Sequence, residues 1–150
     1  EVEPNNSPAT ANFIPSALYA ATGGFAFDGA ITIGDVDFIA IDLVAGDVVG
    51  AAVFDMNFSG GDPMIVALDP SLAEVAFRDD STGFDPFIRF AAAAIGLHYI
   101  GVTDFGDRNF DGIGPSEDFQ YKLFVGVNRI PEPATLGLLA GMGALVLRRR

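Results

Sequence analysis

The sequence has no cysteine, no tryptophan and one histidine, His98. Without cysteine there is no disulfide framework, no thiolate metal site and no cysteine nucleophile. A single histidine leaves too little material for a histidine-rich zinc site. Alternation places His98 on the same strand face as Ile100 and Val102, which suits a core residue with one hydrogen bond better than the base of a Ser-His-Asp triad. No phosphate-cradling glycine loop and no dinucleotide fingerprint is present. Basic residues are also scarce: 8 stand against 20 acidic ones, and the pI is near 4.1. Such a chain repels nucleic-acid phosphate, so nucleic acid is not an expected partner and cations are. What is abundant is apolar: half the residues are hydrophobic, and 14 are Phe. In 150 residues that is one domain with a real core, plus a tail.

The charge is unevenly distributed. Residues 1–129 carry a net −14, whereas three of the eight basic residues are the last three of the chain, Arg148, Arg149 and Arg150. Before them, Ala134 to Leu147 runs fourteen residues without a charge. A helix of that length reaches about 21 Å, short of the roughly 30 Å hydrocarbon core, and snorkelling arginine stems extend it. The segment has no polar face, follows two prolines and ends in arginines, so the expectation is a short membrane helix rather than a core helix. The arginines would stay cytoplasmic and the body would lie outside.

Ile130-Pro131-Glu132-Pro133-Ala134-Thr135, the apolar run and the terminal arginines together resemble the PEP-CTERM sorting signal of bacterial exported proteins. The resemblance implies processing in the inner membrane by an exosortase-type enzyme and delivery to the cell surface or extracellular matrix. Pro131, Glu132 and Pro133 would be the recognition element, and Arg148, Arg149 and Arg150 the stop. Proteins of that family also begin with a secretory signal. Glu1-Val2-Glu3-Pro4 has no apolar core of that kind, so the expectation is that the signal has been removed.

Residues 1–129 read as a separate all-β domain. Short β-branched and aromatic runs are broken by Gly, Asp, Asn and Pro clusters, and between Ala30 and Val127 no helical period is sustained. Strands are expected at Ala30–Ile33, Asp37–Leu43, Val48–Phe54, Met64–Leu68, Val75–Arg78, Ile88–Ala92, Leu97–Val102 and Tyr121–Val127. Turns fall at Ala45-Gly46-Asp47, Ser59-Gly60-Gly61-Asp62-Pro63 and Asp79-Asp80-Ser81-Thr82-Gly83. The order of Glu1-x-Glu3-Pro4-Asn5-Asn6, Asp35-Val36-Asp37-Phe38, Ala45-Gly46-Asp47, Gly96 to Val102 and Tyr121-x-Leu123-x-Val125 resembles the bacterial pre-peptidase C-terminal domain. The resemblance implies a jelly-roll-like β-sandwich of about eight strands, here followed by the short apolar helix of residues 130–150.

Two loops have the composition of calcium sites. Calcium takes six to eight oxygen ligands, so a site needs several carboxylates or amides converging from flexible segments. Glu1, Glu3, Asn5 and Asn6 supply four such groups in six residues, and Asp35 and Asp37 add two where a strand begins. The related collagen-binding domains of clostridial collagenases chelate calcium with a similar segment and an Asp before an aromatic strand residue. That likeness implies Glu1, Glu3, Asn6 and Asp37 as ligands, with Asp35 matching more loosely. The second loop, Asp107-Arg108-Asn109-Phe110-Asp111-Gly112 followed by Asp118, fits the D-x-[DN]-x-[DN]-G loop except at its last position, where Asp replaces Glu. Asp107, Asn109, Asp111 and Asp118 are its candidate ligands; an ordinary acidic turn has the same composition.

The expected function is therefore non-catalytic: an exported, calcium-stabilised surface or matrix module that binds or structures polymer, extracellular polysaccharide among the candidates. The alternatives are a small secreted hydrolase and an accessory glycan- or collagen-binding domain. Absent Trp, and tyrosine limited to Tyr19, Tyr99 and Tyr121, weigh against sugar stacking.

Overall fold

The computed structural model describes residues 1–56, 60–114 and 117–129. The Pro131-Glu132-Pro133 motif, the apolar segment with its expected helix, and Arg148, Arg149 and Arg150 lie outside the described residues. Among the described residues no helix is long and apolar enough to cross a membrane.

Nine strands are described: β1 (Asn12–Ile14), β2 (Gly24–Ile31), β3 (Asp37–Leu43), β4 (Val48–Asp55), β5 (Pro63–Leu68), β6 (Glu74–Arg78), β7 (Phe87–Ala91), β8 (Gly96–Asp104) and β9 (Phe119–Asn128). They form two sheets, ordered β1-β3-β8-β5-β6 and β2-β9-β4-β7. The chain changes sheet at every connection except β5 to β6, the crossing pattern of a jelly-roll-like sandwich. Alternation sets the faces as expected. In β9, Phe119, Tyr121, Leu123, Val125 and Val127 are buried and the residues between them are not. They meet Ile39, Ile41 and Leu43 of β3 and Ile100 and Val102 of β8 in one core between the sheets.

β3 is buried on both faces, because its outer side is also covered. The β8–β9 loop folds back over the five-stranded sheet and sets Phe110 against Phe38 and Phe77, at ring-centroid distances of 6.5 and 6.4 Å. Arg108 lies over the Phe77 ring at 3.7 Å and pairs with Glu74 at 2.8 Å. The four-stranded sheet has no such cover among the described residues.

Three elements differ from expectation. β2 starts at Gly24 rather than Ala30, because eight successive residues pair with β9 despite glycines and an aspartate of low β propensity. β1 is a three-residue parallel strand against β3, too short to show a period. One helical turn, α1 (Ala17–Ala20), carries Tyr19 into the core, where its hydroxyl donates to the Asp42 carbonyl at 2.7 Å.

Candidate metal centre

Asp37 opens β3 and lies on its inward side, in line with Ile39 and Ile41. The turn before it closes through the Asp35 amide donating to the Thr32 carbonyl at 2.9 Å, with Gly34 at φ +85°. From the opposite sheet, Tyr121 donates its hydroxyl to Asp37 Oδ2 at 2.7 Å. This contact depends on Gly29, the β2 partner of Tyr121. A Cβ there would stand 2.3 Å from the Tyr121 ring, so only glycine lets the ring pass. Gly29→Ala is accordingly expected to cost about 1–3 kcal/mol through overpacking and to displace the tyrosine; thermal denaturation reads the first effect and tyrosine fluorescence the second.

The N-terminal segment closes over Asp37. Asn12 holds it by accepting from the Val2 amide and donating to the Val2 carbonyl, both at 2.7 Å. Glu1 accepts from the Ala30 amide at 3.1 and 3.2 Å, Glu3 accepts from the Asn5 amide at 2.9 Å, and the Asn5 carbonyl accepts from the Phe38 amide at 3.0 Å. Glu1, Glu3 and Asp37 thereby bring carboxylate oxygens within 4.8 Å of one another. Oxygens that share a calcium at 2.3–2.6 Å stand no more than about 5 Å apart, so this spacing suits one ion.

Two buried side chains here lack partners. Asn5 is fully buried, and neither its Oδ1 nor its Nδ2 makes a hydrogen bond; Asp37, 1% exposed, has an unpartnered Oδ1. Buried polar atoms left unpaired are costly, and each requires an explanation. Burial pushes the Asp37 carboxyl up to about 8, with the Glu1 and Asp35 carboxylates adding to the rise and the Tyr121 hydrogen bond opposing it. The Tyr121 hydroxyl is likewise raised well above its ordinary range, by burial first and then by Asp37. The carboxylates of Glu1, Glu3 and Asp37 are all-oxygen donors, which fits a hard cation such as calcium and not a soft one, and the buried Asn5 Oδ1, two residues from Glu3 in the chain, is a further oxygen without a hydrogen-bond partner.

Most of the other expected ligands are engaged in bonds of their own. Asn6 is exposed and donates its side-chain amide to Asp35 Oδ1 at 2.6 Å, and the same oxygen accepts from the Val36 amide at 2.9 Å. Asn6 and Asp35 thus brace the turn, and Asn5 is the amide directed inward. In the second loop, Asp107 accepts from the amides of Asp111 (3.1 Å) and Gly112 (2.9 Å) and from the Thr103 hydroxyl (3.1 Å). Asp111 accepts from the Ile113 amide at 3.0 Å, Asn109 is exposed, and Asp118 turns away to accept from the Ile33 amide at 2.8 Å. The structure does not bring these four together: the carboxylates that form bonds serve to shape the loops.

A second acidic group, which sequence reading took only for turns, gathers at the same end of the sandwich. Asp62, Asp79 and Asp80 converge within 4.8 Å, with Oδ1 of Asp62 and of Asp79 unpartnered. Burial, then Asp80, Asp79, Asp104 and Glu117, push Asp62 up to about 6. Its members come from the β4–β5 and β6–β7 connections, and no local motif links them.

No protein-family model matches the chain, and no curated protein sequence does. Solved structures do. The pre-peptidase C-terminal domain of a Bacillus anthracis collagenase is similar at 20% identity and TM-score 0.57, over 81% of this chain and 99% of that one. A periplasmic inhibitor of g-type lysozyme from Aeromonas hydrophila is similar at 16% identity and TM-score 0.58, over 79% and 97%. A surface-associated copper-binding protein of Methylomicrobium album BG8 is similar at 13% identity and TM-score 0.50, over 79% and 98%. These likenesses show the fold alone: the body is a two-sheet β-sandwich similar to that of the pre-peptidase C-terminal domain.

Proposed function

We propose that the chain is a non-catalytic exported surface module whose N-terminal segment is clamped to the sandwich by calcium. The observation that carries this reading is the pairing of two buried orphans, Asn5 and Asp37 Oδ1, with the converging carboxylates of Glu1 and Glu3. Calcium bound there would supply the counter-charge that Asp37 lacks, and the ion would tie residues 1–6 to β3. The non-catalytic reading is supported by His98, which is 1% exposed, stacks on Phe90 at 6.1 Å and has its Nδ1 3.1 Å from the Gly96 carbonyl. A histidine so enclosed reaches no substrate. Export is supported by the fold's neighbours, which are described as periplasmic, surface-associated or part of a collagenase.

In this reading residues 130–150 are a PEP-CTERM signal, with Pro131, Glu132 and Pro133 read by an exosortase-type enzyme and the apolar run retained in the inner membrane until processing. Deleting residues 134–150 should move the protein from the membrane to the soluble exported fraction. Replacing Pro131, Glu132 and Pro133 while keeping the apolar run should trap an unprocessed precursor. Fractionation and immunoblotting read both; unchanged membrane association of the deletion, or normal processing of the triple variant, would reject the sorting reading.

A further inference from the structure

The outer face of the four-stranded sheet carries a trough that the fold does not explain. Gly126 of β9 and Gly50 of β4 lie side by side across the sheet, in register with Gly24 of β2 on one side and Arg89 of β7 on the other. Gly24 is required where it stands, because a Cβ would meet the Val125 carbonyl oxygen at 2.4 Å. Gly50 and Gly126 are not. Neither has a positive φ; a Cβ on Gly126 would approach nothing closer than 3.9 Å, and one on Gly50 would make ordinary contact with the Phe87 ring at 3.5 Å. Glycine inside a strand costs about 0.5–1 kcal/mol relative to alanine, and where packing does not demand it, it marks close approach of another molecule.

The walls of the trough have a definite chemistry. The adjoining row across the sheet contains Phe124, Ala52 and Phe87. Phe124 and Phe87 belong to strands two spacings apart, so their backbones lie about 10 Å from one another. Phe54 packs edge-on to Phe124 at 5.8 Å, and all three rings are between 41% and 49% exposed. Arg89 lines both the 420 Å³ hollow over Gly50 and Gly126 and a neighbouring 440 Å³ groove between β6 and β7, which Arg78 and Phe87 also line.

Charge identifies the occupant. Of the five basic residues in 1–129, Arg108, Lys122 and Arg129 are paired with Glu74, Asp28 and Asp47. Arg78 and Arg89 have no carboxylate partner among the described residues, and both line the one groove. Two cations without a carboxylate partner, beside exposed rings and a glycine floor, make a local positive spot on an otherwise acidic body, which suits a ligand with flat apolar ring faces and anionic groups. An extended peptide could pair beside the groove only with the edge strands β6 and β7 and would leave the glycine floor unused, because β9 and β4 are paired on both sides.

We infer that this trough binds an acidic polysaccharide of the uronate type, its rings stacked along Phe124 and Phe87 and its carboxylates held by Arg89 and Arg78. The inference rests on the surface-module reading and names the polymer class that the module takes. The sequence-based argument against sugar binding counted Trp and Tyr. Tyr19 and Tyr121 are buried and Tyr99 is half-buried, whereas the exposed aromatic platform is made of phenylalanines.

The test uses the full chain at fixed calcium, titrated calorimetrically with a short galacturonate oligomer, its methyl ester and poly-glutamate. Wild type should bind the galacturonate and bind the ester and poly-glutamate at least about tenfold more weakly. Gly50→Thr with Gly126→Thr should leave the melting temperature unchanged or higher while weakening galacturonate binding at least about tenfold, and Arg89→Glu should weaken it similarly. Wild-type affinity in the threonine variant overturns the trough, as does absent galacturonate binding. Equal affinity for poly-glutamate overturns the sugar assignment, and a dimer in sedimentation that the threonine pair dissolves shows a second copy to be the occupant. The calcium response of the melting temperature, recorded on the same samples, separates the two readings: if it persists without polymer binding, only the trough has failed.

Discussion

Calcium at a hundredfold excess over its dissociation constant should raise the melting temperature by on the order of 10 °C. An ion that binds only the folded state contributes RT ln(1 + [L]/Kd), about 2.7 kcal/mol at that excess, and a domain of this size shifts by a few degrees per kcal/mol. The variant that isolates the site is Asp37→Asn, which keeps the size of the side chain and an acceptor for the Tyr121 hydroxyl while removing the buried charge. Two opposite effects are expected. In chelator it should be more stable than wild type, because a carboxylate that resists ionisation in the fold has been replaced by a neutral group. In calcium it should be less stable, because the ion's response is lost. Asn5→Ala should be neutral or slightly stabilising in chelator, because it removes a buried amide that makes no hydrogen bond, and should lose stability only in calcium. Protease cleavage before Ile14 should follow the same pattern, since the ion ties that segment down. Asp111→Ala is the control; if it alone abolishes the response, the β8–β9 loop holds the ion. Equal shifts in chelator and calcium for both Asp37→Asn and Asn5→Ala would end the calcium reading.

How far the site could be read in advance depends on the distance over which its parts interact. β9 and β3 were legible because Tyr121, Leu123, Val125 and Val127, and Ile39, Ile41 and Leu43, repeat with the two-residue period that burial of one strand face imposes. Asp37 was legible because it begins such a run. The choice between Asn5 and Asn6 was not, since a coil segment has no period to say which amide turns inward; that is decided by the Phe38 amide bonding to the Asn5 carbonyl. The Asp62, Asp79 and Asp80 group was hidden for another reason. Each residue looked like an ordinary turn former, and only the return of the β6–β7 connection to the β4–β5 loop brings them together. Tyr121 as partner of Asp37 needed the opposite sheet. Gly50 and Gly126 lie inside expected strands, and only the neighbouring strands show that nothing crowds Gly126 and that Gly50 meets just the Phe87 ring.

In chelator, the same acidic end should make stability fall as pH rises. The sign follows from proton uptake. Asp37 holds its proton in the fold up to about pH 8 but releases it near 3.8 when unfolded, and Asp62 does so up to about 6. Between pH 4 and 6 the folded state binds more protons than the unfolded state at both sites, and between 6 and 8 at Asp37 alone. Asp37 lowers stability by up to about 1.4 kcal/mol per pH unit within its window, and the partly exposed Asp62 by less, because solvent screens it. The slope should therefore be steep from pH 4 to 6, shallower from 6 to 8, and level above 8 until about pH 10, where the raised hydroxyls of Tyr121 and Tyr19 make stability fall again. Asp69, lowered by its Ser71 and Ala73 hydrogen bonds, acts in the opposite sense, but its window lies below pH 3.8, outside this range. Calcium changes the upper window specifically. The ion requires an ionised Asp37, so its binding expels that proton, and apparent affinity should rise with pH until about 8 and then stop rising. Denaturation across this range, with and without calcium, measures both effects: the 6-to-8 slope should vanish in calcium while part of the 4-to-6 slope, owed to Asp62, remains. A 6-to-8 slope that is the same in both conditions would mean that Asp37 does not bind the ion. Its disappearance in Asp37→Asn even in chelator would show that the proton responsible is the one on that carboxyl.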